Sequence, residues 1–185
     1  MADDTAPWRP ELIAALRLLA EVSAAMHRRG LPRPILVGGA AVEYYSGSAM
    51  MTGDIDLASP VQPELEEELA KLGFTRPIGP GHTPLGWVHP ELKLGFEVVC
   101  SSPMGGGIDP ARLVLIDLAG GEFASLSVED IIADRMGQFA SGTAPELLGQ
   151  ARKLYDLHPE VDQDYLERRI REETVGDHGV EDLKA

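Results

Sequence analysis

The chain has 185 residues, 44% of them apolar and 25% charged, a composition that supports an ordinary core and excludes wholesale disorder. Sixteen basic residues stand against thirty acidic ones, for a net charge of −14. Nonspecific binding of nucleic acid needs a basic face that displaces counterions, so that class is excluded. The single cysteine, Cys100, excludes an internal disulfide and a cysteine-cluster zinc site, and fits a cytoplasmic location. No run of about 18 apolar residues occurs, so no membrane span is expected, and the first thirty residues show no signal-peptide pattern.

The length predicts one domain over 1–172, with the sheet and its site at about 30–120 and helices at about 127–172. Residues 173–185 are polar, acidic and glycine-containing, and are expected to form a flexible tail. In chain order, Leu12, Leu16, Leu19, Val22 and Met26 recur at helical spacing over Arg9–Arg29, with Pro10 in the first turn and Gly30 after the last. Ile35-Leu36-Val37 reads as a buried strand ending in Gly38-Gly39, followed by a short helix over Ala40–Tyr45. Ile55, Leu57 and Ala58 alternate with Asp54 and Asp56 as in a strand, and Pro63–Leu72 reads as a helix. Arg76–Pro90 is rich in proline and glycine and reads as loop, with one strand around Leu85–Val88. Leu92–Cys100 and Leu113–Leu118 read as strands, and Gly105-Gly106-Gly107 between them as a loop without the lysine of a P-loop. Ser127 with Asp130 three residues on marks a helix start, and Pro145–Leu157 and Asp162–Glu172 complete a helical back half. The fold class is therefore α/β (α+β), a sheet flanked by helices with a helical C-terminal half.

The chemistry concentrates in two neighbouring stretches, Val37-Gly38-Gly39-Ala40-Ala41-Val42 and Thr52-Gly53-Asp54-Ile55-Asp56-Leu57. A strand that ends in two glycines and opens a helix presents bare backbone N–H groups to a phosphate. Residues i and i+2 of a strand share a face, so Asp54 and Asp56 project together. Two carboxylates on one face repel unless a cation lies between them, and divalent ions take such oxygen ligands. Alone, Asp-x-Asp is usually a solvated strand edge and Gly-Gly usually a turn. Their succession around an apolar strand and a helix is the informative feature. Glu97, set between Phe96 and Val98, is the candidate third carboxylate. His82 and His89 lack metal-ligand spacing, and no Gly-x-Ser-x-Gly elbow is present.

These residues resemble the polymerase-β-like nucleotidyltransferases, in the small bacterial branch associated with toxin–antitoxin and abortive-infection systems. The match rests on Gly38, Gly39, Asp54, Asp56 and Glu97, in order and context. It continues weakly into Leu126–Arg135, Ala151–Tyr155 and Asp164–Leu166. The resemblance implies a nucleotidyltransferase-type mixed sheet and transfer of an NMP group from an NTP to a hydroxyl of a protein or small molecule, releasing pyrophosphate. It implies two Mg²⁺ ions on Asp54, Asp56 and Glu97, and a nucleotide held by Gly38, Gly39, Thr52, Arg135 and Lys153. An operon-encoded protein is the partner it suggests. The chain departs from that branch in having no basic residue in Ala49–Gly53 and in its second glycine, where many members have serine. The alternative reading is a nucleotidyltransferase-fold binding module with weak or no catalysis, such as a toxin–antitoxin partner.

Overall fold

The computed structural model describes residues 7–77 and 86–184, and among them are five strands in one sheet and six α-helices. The chain divides into two compact units. The first runs to Pro103 and takes in Leu113–Ser125, and the second comprises Met104–Arg112 and the chain from Leu126 on.

The first unit holds α1 (Pro10–Arg28), β1 (Ile35–Leu36), α2 (Gly38–Tyr45), β2 (Asp54–Ala58), α3 (Gln62–Lys71), β3 (Gly95–Cys100), β4 (Val114–Leu118) and β5 (Gly121–Ser125). The sheet order is β3-β2-β1-β5-β4. It is mixed: β1 runs antiparallel to β2 and parallel to β5, β2 runs parallel to β3, and β4 and β5 form an antiparallel hairpin. Helix α1 packs on β4, β5 and α3. Its stripe of Leu12, Leu16, Leu19, Val22 and Met26 is fully buried, as are Leu36, Ile55, Leu57 and Phe123 of the sheet. Burial of this apolar surface is the main stabilising contribution to the unit. The strand expected around Leu85–Val88 is reduced to two isolated bridges, Thr75 with Val88 and Trp87 with Phe96. The centre of that loop, with Leu85 and His82, lies outside the described residues.

The second unit holds α4 (Val128–Ala140), α5 (Leu147–Leu157) and α6 (Gln163–Glu173). The hydroxyl of Ser127 caps α4 by accepting from the Asp130 N–H at 3.2 Å, and the Asp162 carboxylate caps α6 from Tyr165 N at 3.1 Å. At its centre the Asp130 carboxylate accepts from Arg169 Nε at 2.8 Å, from the Tyr165 hydroxyl at 3.0 and 3.1 Å, and from the Ser127 hydroxyl at 3.1 Å. The Asp130 and Arg169 side chains are 2% and 1% exposed, so the pair is held dry and fully bonded, as a buried charge requires. Met104 joins from the returning segment, its sulfur 3.3 Å from Arg169 Nη2.

The expected flexible tail is instead folded as far as Lys184. A 3₁₀ turn at Val180–Leu183 buries both of its end residues. Glu167 accepts from Val180 N at 2.7 Å, and Arg152 Nε donates to the Asp182 carbonyl at 2.9 Å. Two apolar side chains and these bonds outweigh the polar composition that suggested fraying.

Candidate active site

The register between β2 and β3 sets the site. Asp56 lies directly opposite Glu97, and Asp54 opposite Gly95. Parallel pairing at matched register puts Asp54, Asp56 and Glu97 on one face of the sheet. One carboxylate oxygen of each lies within 4.8 Å of the others. Asp54 is exposed, and Asp56 and Glu97 are half-buried. A cluster of this size and hardness has the chemistry of a divalent-cation site.

The two glycines complete it. Gly38 opens α2 with φ of +62°, a conformation that a side chain makes costly. A Cβ at Gly38 would fall 2.1 Å from Asp56 Oδ2, so the turn and the carboxylate are in direct apposition. Gly39 N donates to the same oxygen at 3.4 Å. A Cβ at Gly39 would fall 2.7 Å from the Thr52 hydroxyl, which donates to Asp54 Oδ1 at 3.2 Å. Gly38, Gly39, Thr52, Asp54, Asp56 and Glu97 are thus brought together within the first unit. Arg135 and Lys153 lie on α4 and α5 of the second. The Arg135 side chain is 8% exposed and its Nη2 pairs with Asp134 at 3.1 Å, while its buried Nε has no hydrogen-bond partner among the described residues. Lys153 is exposed.

The sequence reading misses one element beside the site. Glu43, in the middle of α2, has a fully buried side chain. Its carboxylate accepts four hydrogen bonds: from Arg9 Nε at 2.6 Å, Arg9 Nη2 at 2.9 Å, Ser48 Oγ at 3.0 Å and Thr52 N at 2.7 Å. Arg9 Nη2 also donates to the Thr52 carbonyl at 2.6 Å. The bond to Glu43 is the leading cause holding the Arg9 guanidinium above its ordinary pKa. The available signal was a lone acid in an otherwise apolar run, Ala40–Tyr45.

A five-stranded mixed sheet carrying a Gly-Gly turn and a carboxylate cluster on adjacent strands has the nucleotidyltransferase fold, and solved structures match it along most of the chain. A crystal structure of an antigenic nucleotidyltransferase-like protein from Paracoccidioides brasiliensis superposes with a TM-score of 0.59 at 17% identity, covering 95% of this chain and 93% of that one. The antibiotic-resistance factor ANT(2'')-Ia, in a crystal structure with adenylyl-2''-tobramycin, gives 0.55 at 18% identity over 90% of this chain and 98% of its own. Its solution structure gives 0.54 at 18% identity over 86% and 90%. No protein-family model matches the chain, and a comparison with curated protein sequences finds no relative. No described helix is long and apolar enough to cross a membrane.

Proposed function

We propose that this protein transfers a nucleoside monophosphate from an NTP to a hydroxyl acceptor, with release of pyrophosphate. The observation that carries the reading is the convergence of Asp54, Asp56 and Glu97 beside the Gly38–Gly39 turn, on a fold shared with a neighbour solved in complex with adenylyl-2''-tobramycin.

The three carboxylates would hold two Mg²⁺ ions, which when bound neutralise the triphosphate and stabilise the attacking and leaving oxygens. Gly38 and Gly39 would cradle the outer phosphates with backbone N–H groups, at an approach that side chains would block. The Thr52 hydroxyl would orient Asp54. Glu97 would take the acceptor's hydroxyl proton on a carboxylate oxygen. The acceptor oxygen then bonds to the α-phosphorus as the bond from that phosphorus to pyrophosphate breaks. Holding acceptor and phosphorus in line supplies much of the acceleration.

For the acceptor, a small polycationic polyol is the best fit. A net charge of −14 concentrates cations near the surface and opposes a nucleic-acid end. An aminoglycoside such as tobramycin has that chemistry, and a protein encoded beside this chain is the other acceptor to test. The cytoplasm, where NTP and Mg²⁺ are abundant, is the compartment this activity requires.

The test is incubation with each NTP, Mg²⁺ and either tobramycin or a co-expressed neighbour protein, followed by pyrophosphate release and intact-mass analysis. NMP-sized adducts that vanish in Asp54→Asn support the reading. Absence of both adducts and Mg²⁺-dependent NTP binding overturns it, in favour of a binding module on the same fold.

A further inference from the structure

We infer that Arg9 and Glu43 are a positioning pair for the carboxylate cluster: together they fix the Thr52 peptide and, through it, hold Asp54 in place beside the Gly38–Gly39 turn. This rests on the reading of that cluster as a metal–nucleotide site.

A fully buried carboxylate in a short apolar helix is a poor choice for stability alone, since apolar replacements of buried ion pairs are often neutral or stabilising. The four donors to Glu43 come from three separate segments: Arg9 at the start of α1, Ser48 after α2, and Thr52 before β2. Glu43 takes the Thr52 N–H, and Arg9 takes the Thr52 carbonyl. Both polar groups of one residue are thereby fixed to a single rigid pair. The Thr52 side chain is then directed between Gly39 and Asp54.

Asp54 is the cluster member that needs this. Asp56 is half-buried and bonded to Gly39 N, and Glu97 is half-buried on β3. Asp54 is exposed at the first position of β2, and Thr52 Oγ1 is its hydrogen-bonding neighbour. If Thr52 is free to move, the Asp54 carboxylate samples other rotamers and the site loses one preorganised ligand.

The segment carrying Arg9 is anchored independently of its guanidinium. Trp8 stacks on Tyr44 with ring centroids 5.1 Å apart, and its Nε1 donates to the Tyr44 carbonyl at 2.7 Å. Arg9 N donates to Ser48 Oγ at 2.9 Å. Removal of the guanidinium therefore leaves the chain path intact, and this separates positioning from folding.

The test measures Mn²⁺ binding by electron paramagnetic resonance, with and without ATP, alongside urea unfolding of the same samples. Wild type should bind Mn²⁺. Arg9→Met and Glu43→Gln should weaken that binding by about tenfold or more at a temperature where circular dichroism shows both folded. Arg9→Lys should recover part of the loss, because it keeps the charge but not the fork that reaches two partners at once. Arg29→Met, which removes the ion pair with Glu68 in the same unit, should leave Mn²⁺ binding unchanged and so controls for lost stability. If wild type shows no Mn²⁺ affinity, the metal-site reading itself fails. If wild type binds, Asp54→Asn does not, and folded Arg9→Met matches wild type, the site reading stands and the positioning role is refuted. Arg9→Met leaves the buried Glu43 carboxylate without its cation and Glu43→Gln leaves only the partly exposed Arg9 unpaired, so should either variant fail to fold the other decides.

Discussion

Gly38→Ala tests the contact between turn and carboxylate most directly. Position 38 has φ of +62°, where a residue with a Cβ costs about 1–2 kcal/mol. The new methyl would also lie 2.1 Å from Asp56 Oδ2 and 2.8 Å from its Cβ and Cγ. The Asp56 backbone is held by pairing of β2 on both sides, so its carboxylate must swing away, and the 2.8 Å overlap with Cβ, which that rotation cannot relieve, must be taken up by a shift of the Gly38 turn. That movement gives up the long bond from Gly39 N, a further loss of about 0.5–1 kcal/mol. These two contributions give a destabilisation of about 1.5–3 kcal/mol, to which the remaining overlap adds, together with loss of Mn²⁺ binding as the ligand is displaced. Gly39→Ala makes the internal comparison. Its added Cβ meets the Thr52 side chain, 2.7 Å from a hydroxyl that can rotate and 3.3 Å from Cβ, and φ there is not in the left-handed region. The net effect there should be within about 1 kcal/mol. Urea unfolding followed by circular dichroism, without metal, ranks the two. If Gly38→Ala is no less stable than Gly39→Ala, or binds Mn²⁺ as wild type does, the argument from backbone conformation and apposition fails.

Three further outcomes follow from the same structure. Asp56→Asn should leave the metal-free protein as stable as wild type or slightly more so, since one of three repelling carboxylates is removed; with Mg²⁺ and ATP wild type should melt higher, because only it gains a ligand of the folded state, and a mutant that melts well below wild type without metal would make Asp56 a structural residue. Asp130→Ala should cost about 3 kcal/mol or more in urea unfolding, because it strips the buried Arg169 and Tyr165 of their shared acceptor; a loss under about 1 kcal/mol would show that Glu172 and Glu173 suffice for Arg169. Burial, with the charge of Asp130 beside it, pushes the Tyr165 hydroxyl up to about 12 from 10.0, so its contribution to stability should be fully present below pH 10 and be lost as the pH rises toward 12; absorbance at ~295 nm should show a late tyrosinate step in wild type that Tyr165→Phe lacks, and a wild type without that step, or a mutant that keeps it, would refute the assignment.

The elements that could be read from sequence were those with a period to read. The stripe of α1, the serine cap of α4 and the alternation of β2 are local patterns, and each lies within two residues of where it was expected. The carboxylate trio was legible for the same reason, since strand alternation fixes the faces of Asp54 and Asp56. Strand β5 was not. Gly121–Ser125 holds two adjacent apolar residues, Phe123 and Ala124, with no alternation, and becomes a strand because β1 and β4 pair with it from either side. The Arg9–Glu43 pair was equally invisible, since 34 residues separate its members and nothing local distinguishes Glu43 from a solvated helix acid. The division into two units arises from chain path, not composition: Met104–Arg112 joins the second unit before β4 and β5 return to the first.

That path constrains how the molecule can be made. Strand β1 pairs Ile35 with Ala124, so the interior of the sheet closes only across a gap of 89 residues, also spanned by the bond from Arg33 to the Glu122 carbonyl. During synthesis α2, β2 and β3, with every carboxylate of the cluster, are complete while one side of β1 still lacks its partner. A half-built sheet with an open apolar edge is slow to consolidate and prone to wrong pairing. No single cut in the chain releases either unit whole. A fragment ending before Gly121 lacks β5, and one beginning at Leu126 lacks Met104 and Arg112, which bond to Arg169 and Asp162. Folding intermediates of this protein are therefore to be sought in the emergence of β5 rather than in the isolated halves.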